Sequence, residues 1–360
     1  MNNHIGRMTI VDALKAIASQ LIVLHHLAFY GPMSDAVQSV APALIGWLAD
    51  HARLAVQVFL VVGGFLAARG LAARGNGFVM EPVRLIAQRY VRLVAPFMAA
   101  MALAVACAAA ARAMLLLAST PAAPSLPQLL AHFLLLQNLL GFAALSAGVW
   151  YVAIDFQLYA LLVMLLWLSG RAAAWRRHLA VMLVSSLAIA SLFYFNRITA
   201  WDDWAPYFFG AYALGVLAFY ARQSRRSAVW LALVAIVVAA ALTLDFRSRI
   251  AVALLVAVLL GLTLHSNWRL PSPAARLLAR LGDVSYSVFL VHYPVCLVVN
   301  AAFGRFAPNN PPLNAFGLLL AWAASLGAGF LFHRHVERRC ATWGSRRTDA
   351  ALAAPQLAAR

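Results

Sequence analysis

Ten stretches of roughly twenty residues, nearly free of charge, dominate this chain and leave it little choice of solvent. They cover residues 9–30, 54–72, 92–117, 149–168, 179–195, 205–220, 228–244, 250–266, 283–303 and 313–335. Soluble domains carry roughly 25% charged residues. Here 11% of 360 residues are charged, 64% are apolar and the mean hydropathy is +0.83. Ten crossings occupy on the order of 200 positions, so no large soluble domain fits beside them. The predicted fold is an all-α polytopic membrane helix bundle of about ten transmembrane helices over residues 1–340, followed by a disordered tail at 341–360. Residues 126–145 carry Gln137 and Asn138 in an apolar run, and are read as a surface-lying or re-entrant segment that does not cross.

The net charge of +17 and pI near 11.1 do not indicate a nucleic-acid partner, because the 28 basic residues are scattered between apolar runs instead of forming one face or tail. The positive-inside rule accounts for them. With the N-terminus inside, the outer segments hold only Arg53, Arg197, Arg247, Arg249 and Arg305. Lys15 and Arg112 lie within helices, and the other 21 are inner. Both termini are therefore expected in the cytoplasm of a multi-pass protein of the cell inner membrane. Asp12 and Lys15 interrupt the first apolar run, which argues for a retained helix and against a cleaved signal peptide. Cys107, Cys296 and Cys340 offer neither a disulfide framework nor zinc-ligand spacing, and no metal is expected.

An ionisable group at the centre of a span costs about 2.5 to 3.5 kcal/mol on insertion scales, so such groups mark partners, cavities or sites. Four places qualify. On the first helix Lys15 and His26 are eleven residues apart, which returns them to one face within about 20° and separates them by about 16 Å along the axis. Asp12 and Ser19 share that stripe; His25 points away. The same pattern also suits a local Asp12–Lys15 ion pair with a histidine bonded to a neighbouring helix. Arg89 and Arg92, one turn apart in a cytoplasmic segment, suit a phosphate-bearing ligand as well as simple anchoring. Asp155 and Tyr159 stand four apart near the outer start of the fourth span, where an aromatic belt explains Trp150 and Tyr151 but not a carboxylate. Finally, Ser285, Tyr286 and His292 follow Asp283 in the ninth span, with Pro294 freeing a backbone carbonyl for His292 or water.

In this order the four segments resemble the membrane-bound acyltransferase family 3, whose members acylate sugars and surface polysaccharides. Lys15 and His26 look like that family's Arg/Lys and His separated by ten residues. Phe59 to Leu66, through Gly63 and Gly64, resembles its second-helix run, and Arg89, Arg92 and Pro96 its Arg-x-x-Arg and proline. Trp150, Asp155 and Tyr159 are similar to its Trp, Glu and Tyr signature, and Leu281 to Pro294 to its Ser-Tyr and His-x-Pro segment. The departures are Lys15 for the commoner Arg, Gly63 and Tyr151 for Ser, Asp155 for Glu and Phe289 for Tyr.

The resemblance implies transfer of an acyl group, most often acetyl, from cytoplasmic acyl-CoA to a hydroxyl of a glycan or glycolipid at the outer face. It implies no bound cofactor. His26 is expected to act as general base or transient acyl carrier, with Lys15 and Asp12 setting its electrostatics. Asp155 is expected to orient His26 or the acceptor, and Arg89 and Arg92 to bind the CoA phosphates. Trp150, Tyr159, Ser285, Tyr286 and His292 complete the substrate-binding set. The competing reading is a transporter or flippase of a lipid-linked saccharide, which also needs polar groups across ten helices.

Overall fold

The computed structural model describes residues 9–73, 81–263 and 272–340. Arg7, Arg74, Arg269, Arg346, Arg347 and Arg360, counted above as inner, and the tail 341–360 lie outside the described residues. Among the described residues the regular structure is entirely helical. In chain order it consists of α1 (Thr9–Phe29), α2 (Pro32–Gln38), α3 (Pro42–His51), α4 (Val56–Ala73), α5 (Pro82–Met114), α6 (Leu126–Phe133), α7 (Val149–Gly170), α8 (Arg176–Phe193), α9 (Ala205–Arg222), α10 (Ser227–Leu244), α11 (Ser248–Thr263), α12 (Ser272–Phe306) and α13 (Pro311–Phe332). A π-helical turn over His333–Glu337 continues α13.

All ten expected crossings correspond to helices, residues 264–266 of one lying outside the described residues, and among the described residues 8 helices are long and apolar enough to cross a membrane by themselves, one of them running from Pro42 to Ala73 through α3 and α4. The protein is thus a multi-pass, all-α membrane protein. Two of the expected ten, α9 and α11, stand outside those eight. Several helices begin earlier than hydropathy suggests. α5 starts at Pro82 instead of 92, and α12 at Ser272 instead of 283. Arginine is a good helix former and its long stem lets a charged head reach the interface, so helices continue through charged flanks that a hydropathy window excludes.

Residues 126–145 form no spanning helix. Ser125 and Gln128 make a capping box at the start of α6, and the Gln128 side-chain amide donates to Ala143 O at 2.7 Å. Buried His132 bridges the segment. Its Nδ1 lies 2.8 Å from Gln128 O, and its Nε2 accepts the Leu145 N–H at 3.3 Å.

The chain divides into two compact units. The first comprises residues up to Gln20, Leu54–Pro82 and Gln157–Ser285. Its core is α9, buried along nearly its whole length. A Cβ at Gly64 of α4 would lie 2.0 Å from Tyr212 O, and one at Gly215 of α9 would lie 1.8 Å from Val61 O. Small residues at both positions let the two backbones touch, the packing mode that lipid-embedded helices favour. Ser191 of α8 accepts the Gly210 N–H at 2.8 Å and donates to Tyr207 O at 3.3 Å. The Gln157 side-chain oxygen Oε1 accepts the first-turn Ala205 N–H at 3.1 Å.

The second unit comprises Leu21–Arg53, Val83–Phe156 and Tyr286 onward. Ala108 and Ala111 of α5 pack with Tyr293, Leu297 and Ala301 of α12. The turn between α1 and α2 needs Gly31, whose φ is +103° and whose missing Cβ leaves room for the Asn300 side chain. That amide donates to Tyr30 O at 3.3 Å and accepts the Met33 N–H at 3.4 Å, satisfying polar groups that hydrocarbon would leave unpaired.

Candidate active site

Two histidines far apart in sequence meet in the second unit. His26 Nδ1 and His292 Nε2 are 2.6 Å apart, and the ring planes differ by only 5°. His292 is fully buried and His26 is 9% exposed. The second nitrogen of His292, Nδ1, lies 2.8 Å from Phe289 O and 3.1 Å from Val288 O. Two carbonyls can only accept, so His292 Nδ1 carries the proton. In the neutral ring Nε2 is then an acceptor, and His26 must donate to it from Nδ1. The network therefore assigns the tautomers and leaves His26 Nε2 as the basic nitrogen. His292 takes its carbonyl partners from its own helix, one and two positions away from Leu290, the carbonyl that Pro294 releases. Tyr30 and Tyr293 stand beside the pair, with ring centroids 5.7 and 6.1 Å from His26. Tyr293 is held by its hydroxyl, which donates to Ser119 O at 2.7 Å.

A second cluster in the same unit joins Arg89 to Asp155. The guanidinium Nη2 donates to Asp155 Oδ2 at 2.5 Å. This corrects the reading that put Arg89 at the cytoplasmic surface and Asp155 near the outer face, since a contact of this length requires one level. Arg89 lies seven residues inside α5 and Asp155 six residues inside α7, about 10 and 9 Å from their respective helix starts at 1.5 Å per residue. Asp155 consequently has a guanidinium as its direct partner, where a bond to His26 was one of the expectations.

Tyr286 sits among the charges. Asp155, Glu337, Arg89 and Arg92 all act electrostatically on its hydroxyl, which donates to Leu93 O at 3.4 Å. Glu337 belongs to the π-helical turn, and its Oε2 accepts from Ser287 at 2.5 Å and lies 3.0 Å from His333 Nδ1. Sequence reasoning missed Glu337 and His333. Acids number only 11 in this chain, so a carboxylate four residues after a histidine, at the end of the last apolar run, was the available signal. π-helical turns occur often at functional sites because the extra residue re-aims a side chain.

Trp150 stacks edge-on with Tyr151 at 6.1 Å, and Tyr151 with Phe289 at 5.5 Å. Gly148, with φ of +83°, stands where a Cβ would meet Phe289 at 2.9 Å. The remaining predicted site residues, Asp12, Lys15, Tyr159 and Ser285, belong to the first unit. There Asp12 packs against α12, where a Cβ at Gly282 would lie 2.7 Å from Asp12 O. Buried Ser285 donates to Gly282 O at 2.9 Å, within its own helix. The structure thus brings His26 together with His292, and Arg89, Arg92 and Asp155 together with Tyr286. Among the described residues no group of three or more His, Cys, Asp or Glu could hold a metal ion.

Chemically, the second unit offers a buried imidazole with one nitrogen fixed as donor and the other left basic, and near-balanced charges around a tyrosine. That is equipment for moving a proton during group transfer. No curated protein and no solved structure matches the chain. Residues 8–340 match a family described as an acyltransferase domain. Extending over nearly all of the described helices, this match shows that the chain belongs to the membrane-bound acyltransferase family 3.

Proposed function

We propose that the protein transfers an acyl group, acetyl foremost, from cytoplasmic acyl-CoA to a hydroxyl of a glycan or glycolipid at the outer face of the membrane. The observation that carries this reading is the His26–His292 pair, whose tautomers leave His26 Nε2 as a base. His26 Nε2 takes the acceptor's hydroxyl proton as the oxygen attacks the thioester carbonyl. The carbon–sulfur bond breaks, and the CoA thiolate leaves with that proton. His292 is the positioning residue. It fixes the imidazole plane and stabilises the transient imidazolium by accepting its Nδ1 proton in a hydrogen bond.

Arg89 and Arg92 bind the CoA phosphates in this scheme, with Asp155 holding the Arg89 guanidinium in place. Tyr286 sits where the two charge types meet and orients the donor's polar arm. Trp150 and Tyr159 contact the acceptor. Lys15 and Asp12, on the stripe that leads along α1 toward His26, tune the field in which the imidazole works, and Ser285 lines the donor's path.

The test is acyl transfer by the purified full-length protein in lipid nanodiscs, with acetyl-CoA as donor and thiol release as readout, beside mass spectrometry of surface glycans from cells with and without the protein. Thiol release that depends on a glycan acceptor, together with loss of an acyl mass from the glycans of deficient cells, supports the reading. A lipid-linked saccharide moved across the bilayer with no acetyl-CoA consumed would instead establish a transporter.

A further inference from the structure

A cavity of about 660 Å³ lies between α8, α9 and α10, lined wholly by residues of the first unit. It contains none of the groups invoked above. Its walls are hydrocarbon for most of their length, from Val181 and Ala188 on α8 through Leu217 on α9 to Val234 and Val238 on α10. Most of its polar lining collects at one end. Arg177 and His178 open α8 there, and Gln223 and Ser224 follow the last turn of α9. The two outer walls are also the least enclosed helices of the unit. Met182 and Ile189 on α8 and Leu233 on α10, all cavity residues, are 56%, 45% and 49% exposed, so the space borders the surface that faces lipid.

An apolar space this large is not stable when empty, because its lining forfeits dispersion contacts on one side. In a bilayer the material at hand is a hydrocarbon chain, and the volume falls within the roughly 300 to 1,000 Å³ of single-ligand sites. The polar end then selects the head group. The connections there carry Arg171, Arg176, Arg177, Arg222, Arg225 and Arg226, with no acidic residue in 171–178 or 222–230. Such a cluster favours an anionic head group over a zwitterionic one.

We propose that this cavity is a lipid site, holding one acyl chain of an anionic glycerophospholipid whose phosphate is bound at Arg177. The site is separate from the acyl-transfer chemistry and does not depend on it.

Native mass spectrometry of the full-length protein in mild detergent tests this directly, followed by titration of the delipidated protein with dioleoylphosphatidylglycerol, dioleoylphosphatidylcholine or palmitoyl-CoA. The expected result is one retained anionic phospholipid per chain, bound at least about tenfold more tightly than phosphatidylcholine. Arg177→Gln is expected to abolish that preference while chain binding persists. Ser185→Phe and Val234→Trp, which fill the cavity from opposite walls, are each expected to lower retention about tenfold. Two independent filling variants, checked by thermal melting, guard against one failing to fold. The proposal is overturned if the two phospholipids bind equally, if both filled variants keep wild-type retention, or if palmitoyl-CoA displaces the phospholipid and proves the preferred ligand.

Discussion

Arg89 and Asp155 are 66 positions apart in sequence and 2.5 Å apart in space, so an ion pair ties together two helices that enter from different segments. The Asp155 side chain is 10% exposed and that of Arg89 30%, so the carboxylate depends on the guanidinium more than the reverse.

Removing either partner is therefore not equivalent. Arg89→Ala leaves a largely buried carboxylate without its charge-assisted bond, which costs about 1.5 to 3 kcal/mol. Asp155→Asn keeps the shape and removes the charge. The expected order of thermal stability in detergent is wild type, then Asp155→Asn, then Arg89→Ala, with the double variant Arg89→Ala/Asp155→Asn less destabilised than the sum of the singles. Strict additivity would show that the pair contributes no coupling. Acyl-CoA affinity measured alongside is expected to fall about tenfold or more in Arg89→Ala.

His26→Ala is expected to lower acyl transfer by about 10² to 10⁴-fold, the range of a general base, with the protein still inserted and folded but melting somewhat lower, because the buried His292 Nε2 loses its donor. His292→Ala removes one hydrogen bond to an imidazole that becomes charged, about 1.5 to 3 kcal/mol, or roughly 10 to 100-fold in rate. His292→Gln presents a side-chain carbonyl that can accept from His26 and is expected to recover part of that loss. Rescue by Gln but not Ala, read as turnover with donor affinity unchanged, separates positioning from packing. His25 lies 3.2 Å from Leu48 O through its own Nδ1, and His25→Ala is expected to be milder.

The segment between α5 and α7 carries its own pH dependence. Burial lowers the pKa of His132 below 6.5, offset in part by its bond to Gln128. The unfolded segment therefore binds a proton more readily than the folded one, so stability is retained above about pH 6.5 and lost as pH falls toward the lower folded value. Protonation also removes the Nε2 lone pair that accepts the Leu145 N–H. The protection factor for hydrogen exchange at Leu145, with the intrinsic pH dependence of exchange removed, is expected to fall as pH drops below 6.5, and a His132→Gln variant is expected to lose that dependence. An exchange profile in His132→Gln as steep as in wild type would assign the effect elsewhere.

Gly64→Ala places a methyl group 2.0 Å from Tyr212 O, which only backbone movement relieves. A loss of about 1 to 3 kcal/mol is expected from overpacking, seen as a lower melting temperature. Gly327→Ala, with nothing within 4 Å of the new methyl, is the matched control. It is expected to be neutral or slightly stabilising, because alanine is the better helix former.

The helices were legible because hydrocarbon enforces long apolar runs, and the candidate residues were legible because charge inside such runs is rare. Depth was not legible. Hydropathy placed Arg89 and Asp155 by counting inward from opposite faces, a count that ignores how far α5 extends through its charged flank. Pairing was not legible either. His26 and His292 lie 266 residues apart, and periodicity assigns a face to each without saying which faces meet. Glu337 escaped notice because it stands among arginines at a helix end, where a charge needs no explanation until a π-helical turn points it at Ser287.

α9 is the helix most enclosed by protein, yet it is not among the eight that qualify as spans by themselves. Pro206, Gly210, Gly215 and three tyrosines at 207, 212 and 220 lower its hydropathy, and its enclosure by other helices suits such a sequence. α4 and α8 leave the ribosome before it and form its most extensive contacts, while α10 and α11, which also pack on it, are made after it. Its enclosure can therefore begin against helices already made and is complete only once α10 and α11 follow. Deleting α8 is accordingly expected to lower the efficiency with which α9 inserts, read as protease accessibility of the connection after Arg222.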